Sequence, residues 1–84
     1  MFAVDVKYFA SIREAMGTAG ETLQTSALTL AELRDLLIAR GGDGGFALER
    51  GKAVRLAMNK VMADETTLLL DGCEVAFFPP VTGG

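Results

Sequence analysis

The chain has 84 residues, half of them apolar and 23% charged, with five Phe, one Cys and no His. That length makes one small domain, which buries about 60–65% of the surface exposed by its unfolded form, and the apolar content excludes a disordered tail. Eight Lys and Arg against eleven Asp and Glu leave a net charge of −3, with the basic residues scattered singly from Lys7 to Lys60, so the footprint demanded by nucleic acid is absent.

No apolar run approaches the roughly 18–20 residues needed to cross a bilayer, and Asp5 interrupts the opening MFAVDVKYFA where a signal peptide needs unbroken apolar residues. The expectation is a cytoplasmic protein with no membrane partner. Cys73 is alone, so no intrachain disulfide forms, and without His the usual zinc sets are missing, as are the Ser-His and Cys-His pairs of nucleophilic catalysis. No metal site is expected. Chemistry must come from a partner or from the backbone itself.

In chain order, Phe2 to Tyr8 alternates Phe2, Val4, Val6 and Tyr8 against Ala3, Asp5 and Lys7, the period of a strand with one buried face. Ser11 and Glu14 have the spacing of a capping box, Phe9, Ile12 and Met16 share one side, and Gly17 suits a helix end, so a short helix or turn follows. Glu21 to Thr25 forms a second strand paired to the first. The strongest helix runs from Leu30 to about Arg40, with Thr29 and Glu32 as its capping box and Leu30, Leu33, Leu36 and Leu37 on one side.

Gly41 to Gly45 is a glycine cluster, but Phe46 and Ala47 follow where a phosphate loop needs Lys and Ser or Thr, so it is expected to be a flexible connector. Ala53 to Met58 alternates as a central strand, Asn59-Lys60 turns the chain, and Val61-Met62 is its brief partner. After Thr66 to Leu70, Asp71-Gly72 makes a turn before a last strand from Glu74 to Pro79.

Two strands, a long helix and two or three strands make an α+β arrangement of two layers, a mixed sheet covered on one face by a helix. If the first and last strands are central, the intervening crossover forces them to pair in parallel. This is the ubiquitin-like β-grasp layout. The expected division is a β-grasp domain over residues 1–78 and an extended tail over 79–84 that ends in Gly-Gly.

A Gly-Gly end means little alone, but here it follows directly from a strand, and Pro79-Pro80 stiffens the exit. Fully extended, residues 79–84 reach roughly 20 Å, enough to enter another protein's active site, and glycine suits a channel too narrow for a β-carbon. The tip is the α-carboxylate of Gly84. Being ionised at neutral pH, it is a poor electrophile and needs activation: coupling to AMP makes a mixed anhydride, and attack by a sulfur nucleophile leaves a thiocarboxylate. On the last strand Val75 and Phe77 point to one face and Glu74, Ala76 and Phe78 to the other. Phe78 is then either covered by a helix or loop or an exposed anchor beside the tail.

The ending DGCEVAFFPPVTGG, with VKYFASIREAMG near the start and LAMNKV in the middle, resembles the small subunits of molybdopterin synthase, the MoaD family of ubiquitin-like sulfur carriers. The resemblance spans nearly the whole chain. It implies a β-grasp fold and a terminal Gly84 that is adenylated by an E1-like (MoeB-like) enzyme, which uses the ATP, and then converted to a thiocarboxylate with sulfur from a donor protein. It implies no cofactor bound to this chain. It further implies a large-subunit partner (MoaE-like) that receives the tail and directs the sulfur to cyclic pyranopterin monophosphate. Gly83 matches the penultimate glycine, Phe78 matches a strand position near the family's protein interfaces, and Pro80 belongs to the same ending, so these three are the expected partner-binding residues.

Three rivals remain open on the residues. A carrier for another pathway, such as thiamine synthesis, has the same tip but another acceptor, although the aromatic-proline exit argues against it. A ubiquitin-like modifier ends in an isopeptide bond. A plain interaction domain makes no use of its glycines.

Overall fold

In the computed structural model, which describes residues 2–80, the chain order is strand, helix, strand, two helices and three strands. Strand β1 (Phe2–Tyr8) buries Val4, Val6 and Tyr8 and leaves Asp5 and Lys7 exposed, as its alternation requires. Strand β2 (Gly20–Thr25) pairs with it antiparallel, with Val4 opposite Leu23.

The last strand, β5 (Glu74–Phe78), lies along the other side of β1 in parallel, with Val6 opposite Val75 and Tyr8 opposite Phe77. Strands β3 (Arg55–Met58) and β4 (Val61–Ala63) complete the mixed sheet in the order β2-β1-β5-β3-β4, each joined to its neighbour antiparallel. The expected parallel pairing is therefore present in the interior of the sheet. Asn59 and Lys60, with φ of 51° and 69°, make the tight turn between β3 and β4.

Helix α2 (Leu30–Ala39) begins as its capping box predicts: the Glu32 amide donates to Thr29 Oγ1 at 3.2 Å, and that hydroxyl donates to Glu32 Oε2 at 3.3 Å. Leu30, Leu33 and Leu37 are buried against the sheet, each stabilising the fold by about 2 kcal/mol. Leu36 departs from expectation at 38% exposure, while Arg34 is only 4% exposed. The helical period explains the exchange, because residue 34 lies between 30 and 37 on the inner face and residue 36 falls outside it.

Helix α1 (Ala10–Met16) forms, and Gly17 ends it at φ 77°, but the Ser11–Glu14 capping box does not. The N-cap is Phe9, with no side-chain cap. The Phe9 amide still donates to the Phe77 carbonyl at 3.1 Å, so the sheet runs straight into the helix and leaves Ser11 inside its first turn. Ala10 takes a φ of 51° to make this corner.

The expected connector at Gly41 to Gly45 is a helix instead, α3 (Gly42–Ala47). Gly44 and Gly45 are buried, and a β-carbon at Gly45 would lie 2.7 Å from the Ile38 carbonyl oxygen. Here the absence of a side chain permits close packing on α2, which overrides the low helix propensity of glycine. Thr66 to Leu70 contributes only a bridge between Thr29 and Leu68, and the last strand stops at Phe78 rather than Pro79.

Candidate functional site

Strand β5 divides its side chains between two surfaces. Val75 and Phe77 are fully buried under the helices, where the Phe77 ring stacks 6.3 Å from that of Tyr8. The outer face takes Glu74, Ala76 and Phe78. Across that face Lys7, Ala76, Ala57 and Met62 lie in one row, and Arg55 pairs with Phe78 in the next. Ala76 and Ala57 are buried although they face outward, because neighbouring strands and longer side chains flank these short ones. The result is a shallow alanine floor with Phe78 and Arg55 at one end and Asp5 and Glu74 at the other.

Phe78 is half-buried, and its ring meets Phe9 with centroids 5.6 Å apart and planes at 56°. Phe9 is thus not on the helix side with Ile12 and Met16, as its spacing suggested; it is 46% exposed and belongs to the outer aromatic pair. Its signal was present in the sequence, since Phe9 follows Tyr8 and the strand alternation places it outward.

Beyond Phe78 the chain passes through Pro79, half-buried, to Pro80, exposed. Both prolines face the opposite side of the exit, where they line a groove of about 710 Å³ between α1, α3 and the Lys52–Val54 segment. Phe46 projects there at 62% exposure, and Lys52 Nζ sits 3.4 Å from its ring centroid. The structure therefore places Phe78 and Pro80 on opposite sides of the exit, while Gly83 and Gly84 lie outside the described residues. The groove was invisible in a glycine-rich stretch read as a connector.

Among the described residues, Arg34 is the buried charged side chain that holds this region. Arg34 donates from Nε to the Leu48 carbonyl at 2.7 Å and from Nη2 to those of Glu49 and Lys52 at 2.9 and 3.2 Å, which pins the loop leading to the groove. Glu65 accepts from both Arg34 and Arg50, and Arg50 also pairs with Asp35 at 2.8 Å. That hydrogen bond to Asp35, with the nearby Glu65 charge, raises the Arg50 pKa above its ordinary value. At the end of β1, Tyr8 donates its hydroxyl to Glu21 at 2.6 Å; burial first, then that carboxylate, pushes the phenol up.

Among the described residues, no group of His, Cys, Asp and Glu is arranged to hold a metal ion, and no helix is long and apolar enough to cross a membrane. Cys73 is buried. Among the described residues, the exit presents shape, aromatic surface and charge.

A mixed sheet with its first and last strands side by side, a helix across one face and a last strand leading directly to the surface defines a ubiquitin-like β-grasp protein. Residues 6–84 match the ThiS family, and the chain belongs to it. It is 40% identical to the molybdopterin synthase sulfur carrier subunit of Escherichia coli, over 96% of this chain and 99% of that one. Among solved structures, a chain of the complex of subunits 1 and 2 of molybdopterin-converting factor from Helicobacter pylori 26695 is 28% identical, with a TM-score of 0.67 over 99% of this chain and 100% of that one. The small archaeal modifier protein 1 of Methanosarcina acetivorans is 27% identical, with a TM-score of 0.78 over 100% of this chain and 98% of its own.

Proposed function

We propose that this chain is the sulfur carrier subunit of a molybdopterin synthase. The observation that carries the reading is the near-full-length identity of 40% to a carrier subunit of that name. The geometry supports it, because β5 ends at half-buried Phe78 and leads through Pro79 to exposed Pro80, directly before residues 81–84.

The chemistry runs through Gly84, the last residue of the sequence, and uses no side chain of this chain. A carboxylate oxygen attacks the α-phosphorus of ATP on an E1-like, MoeB-like enzyme, and pyrophosphate leaves. A sulfur nucleophile from a donor protein, at the oxidation level of sulfide, attacks the acyl carbon and expels AMP with one carboxylate oxygen. The product is a thiocarboxylate. A MoaE-like large subunit then takes the tail, the sulfur forms a bond to carbon of cyclic pyranopterin monophosphate, and water attacks the acyl carbon, breaking its C–S bond and restoring the carboxylate. Gly83 supplies the thin leader to the reacting carbon.

Intact-mass measurement of protein isolated from its own cells tests the reading. A fraction heavier by the difference between sulfur and oxygen is expected, and deletion of Gly84, or addition of one residue after it, removes both that fraction and sulfur transfer while leaving the melting temperature nearly unchanged. A truncated chain that still supports molybdopterin synthesis would overturn the reading. A ladder of branched conjugates would make the chain a modifier.

A further inference from the structure

The groove on the helix side of the exit has no part in that chemistry. Its floor is apolar, from Ile12, Ala15, Ala47 and Val54, and one wall is made by Pro79 and Pro80 themselves. At the mouth stand two carboxylates, Glu14 from α1 and Asp43 from α3, and neither makes an ion pair with a described residue. The single cation, Lys52, lies over the face of Phe46. An apolar floor under an acidic rim suits an aliphatic or aromatic side chain next to a lysine or arginine.

We propose that this groove is a second docking site, filled by such a basic-flanked apolar segment of a protein that receives the tail. The inference rests on the carrier reading and extends it. Two arguments identify the occupant. First, a protein that encloses residues 81–84 must have surface next to Pro79 and Pro80, and those prolines are a wall of the groove. Second, the two sides of the exit differ in charge: Arg55 accompanies Phe78 on the outer face, while Glu14 and Asp43 rim the groove. A single extended strand does not define its own rotation about its axis. Opposite charges on its two sides do, because the wrong rotation sets like charges together and leaves the apolar floor unfilled.

The test uses the full chain and three variants. Glu14→Lys with Asp43→Lys reverses the rim, Glu14→Gln with Asp43→Asn neutralises it, and Ala53→Trp fills the groove from an exposed position. Affinities for the purified large subunit and the purified adenylating enzyme are measured by calorimetry at about 50 and about 300 mM salt, with melting temperature as the folding control. The charge-reversed protein is expected to bind at least one of the two roughly tenfold more weakly at low salt, with a smaller deficit at high salt. Neutralisation should give a smaller loss, and Ala53→Trp a loss that salt does not change.

Affinities of all three variants within about twofold of wild type for both proteins would overturn the groove while leaving the carrier reading intact, since wild type would still bind and transfer sulfur. Wild-type protein that binds neither would overturn both. Two further results would replace the proposed occupant. Amide shifts at Phe46 and Val54 on truncation after Pro80 in the isolated chain would assign the groove to this chain's own tail. A concentration-dependent dimer that Ala53→Trp dissociates would assign it to a second copy.

Discussion

Phe9, the residue that follows β1, and Phe78, the last residue of β5, meet ring to ring at 5.6 Å on the outer face of the exit. Phe78 ends one of the two parallel strands and Phe9 directly follows the other, so the pair extends the pairing of first and last strand into an aromatic surface at the exit. On the proposed function, Phe78→Ala is expected to weaken binding to the proposed large subunit by at least about tenfold, in the range of an interface anchor, and to destabilise the fold by under about 2 kcal/mol. Calorimetric titration beside urea unfolding checks both. Unchanged affinity with a large loss of stability would make Phe78 a packing residue only.

Arg34 is a buried cation whose bonds run to the carbonyls of Leu48, Glu49 and Lys52 and to Glu65. Replacement by Leu removes the donor from the buried bond to Leu48 and from the partly buried bonds to Glu49, Lys52 and Glu65, and is expected to cost about 3 kcal/mol in urea unfolding. Arg34→Lys recovers only part of this, since one ammonium does not reproduce the fork of the guanidinium. A loss below about 1 kcal/mol for Arg34→Leu would show that the loop needs no such tie.

The two buried glycines of α3 separate two kinds of crowding. A β-carbon at Gly44 would meet the end of the Met16 side chain, at 2.5 Å from its sulfur, whereas one at Gly45 would meet the backbone oxygen of Ile38. Methionine can move aside and a helix backbone does not. Gly45→Ala is therefore expected to destabilise the protein by about 2 kcal/mol, and Gly44→Ala by under about 1 kcal/mol. Thermal unfolding of the two variants decides it, and equal effects would refute the distinction.

Tyr8 keeps its proton in the folded state beyond the pH at which an unfolded tyrosine loses it, because burial and then the Glu21 carboxylate raise its pKa above 10.0. The folded state then binds more protons than the unfolded one in alkaline solution. Its contribution is full below about pH 10 and declines as pH rises further. Between about pH 10 and 12 the wild-type melting temperature should fall more steeply than that of Tyr8→Phe, which itself costs about 1–2 kcal/mol near neutrality. Parallel declines would clear Tyr8 of the effect.

Much of this architecture was legible in short-range pattern. Alternation from Phe2 to Tyr8 and from Glu74 onward located the two parallel strands, the box at Thr29 and Glu32 placed the start of α2, and Asn59-Lys60 marked the hairpin. Where similar signals failed, tertiary contact had overruled them. Ser11 and Glu14 form no cap because the β1 ladder continues through Phe9, and Leu36 lies outside the buried stripe that takes in Arg34. The candidate site divides likewise: the outward setting of Phe78, and of Phe9 one residue past Tyr8, followed from strand alternation, whereas the contact between their rings and the Phe46–Lys52 wall did not.

By itself, the sequence determined where β1, β5, α2 and the β3–β4 hairpin form and where the Pro-Pro exit begins, because these depend on residue chemistry and on neighbours a few positions away. Only the tertiary structure decided that glycines 42, 44 and 45 build a helix, that Arg34 is buried, and that the exit has an aromatic basic side and a grooved acidic one. Each of those depends on how closely distant backbones approach. A β-carbon's clearance, a carbonyl's partner and the charge across a groove exist only once α1, α2, α3 and the sheet are set against one another.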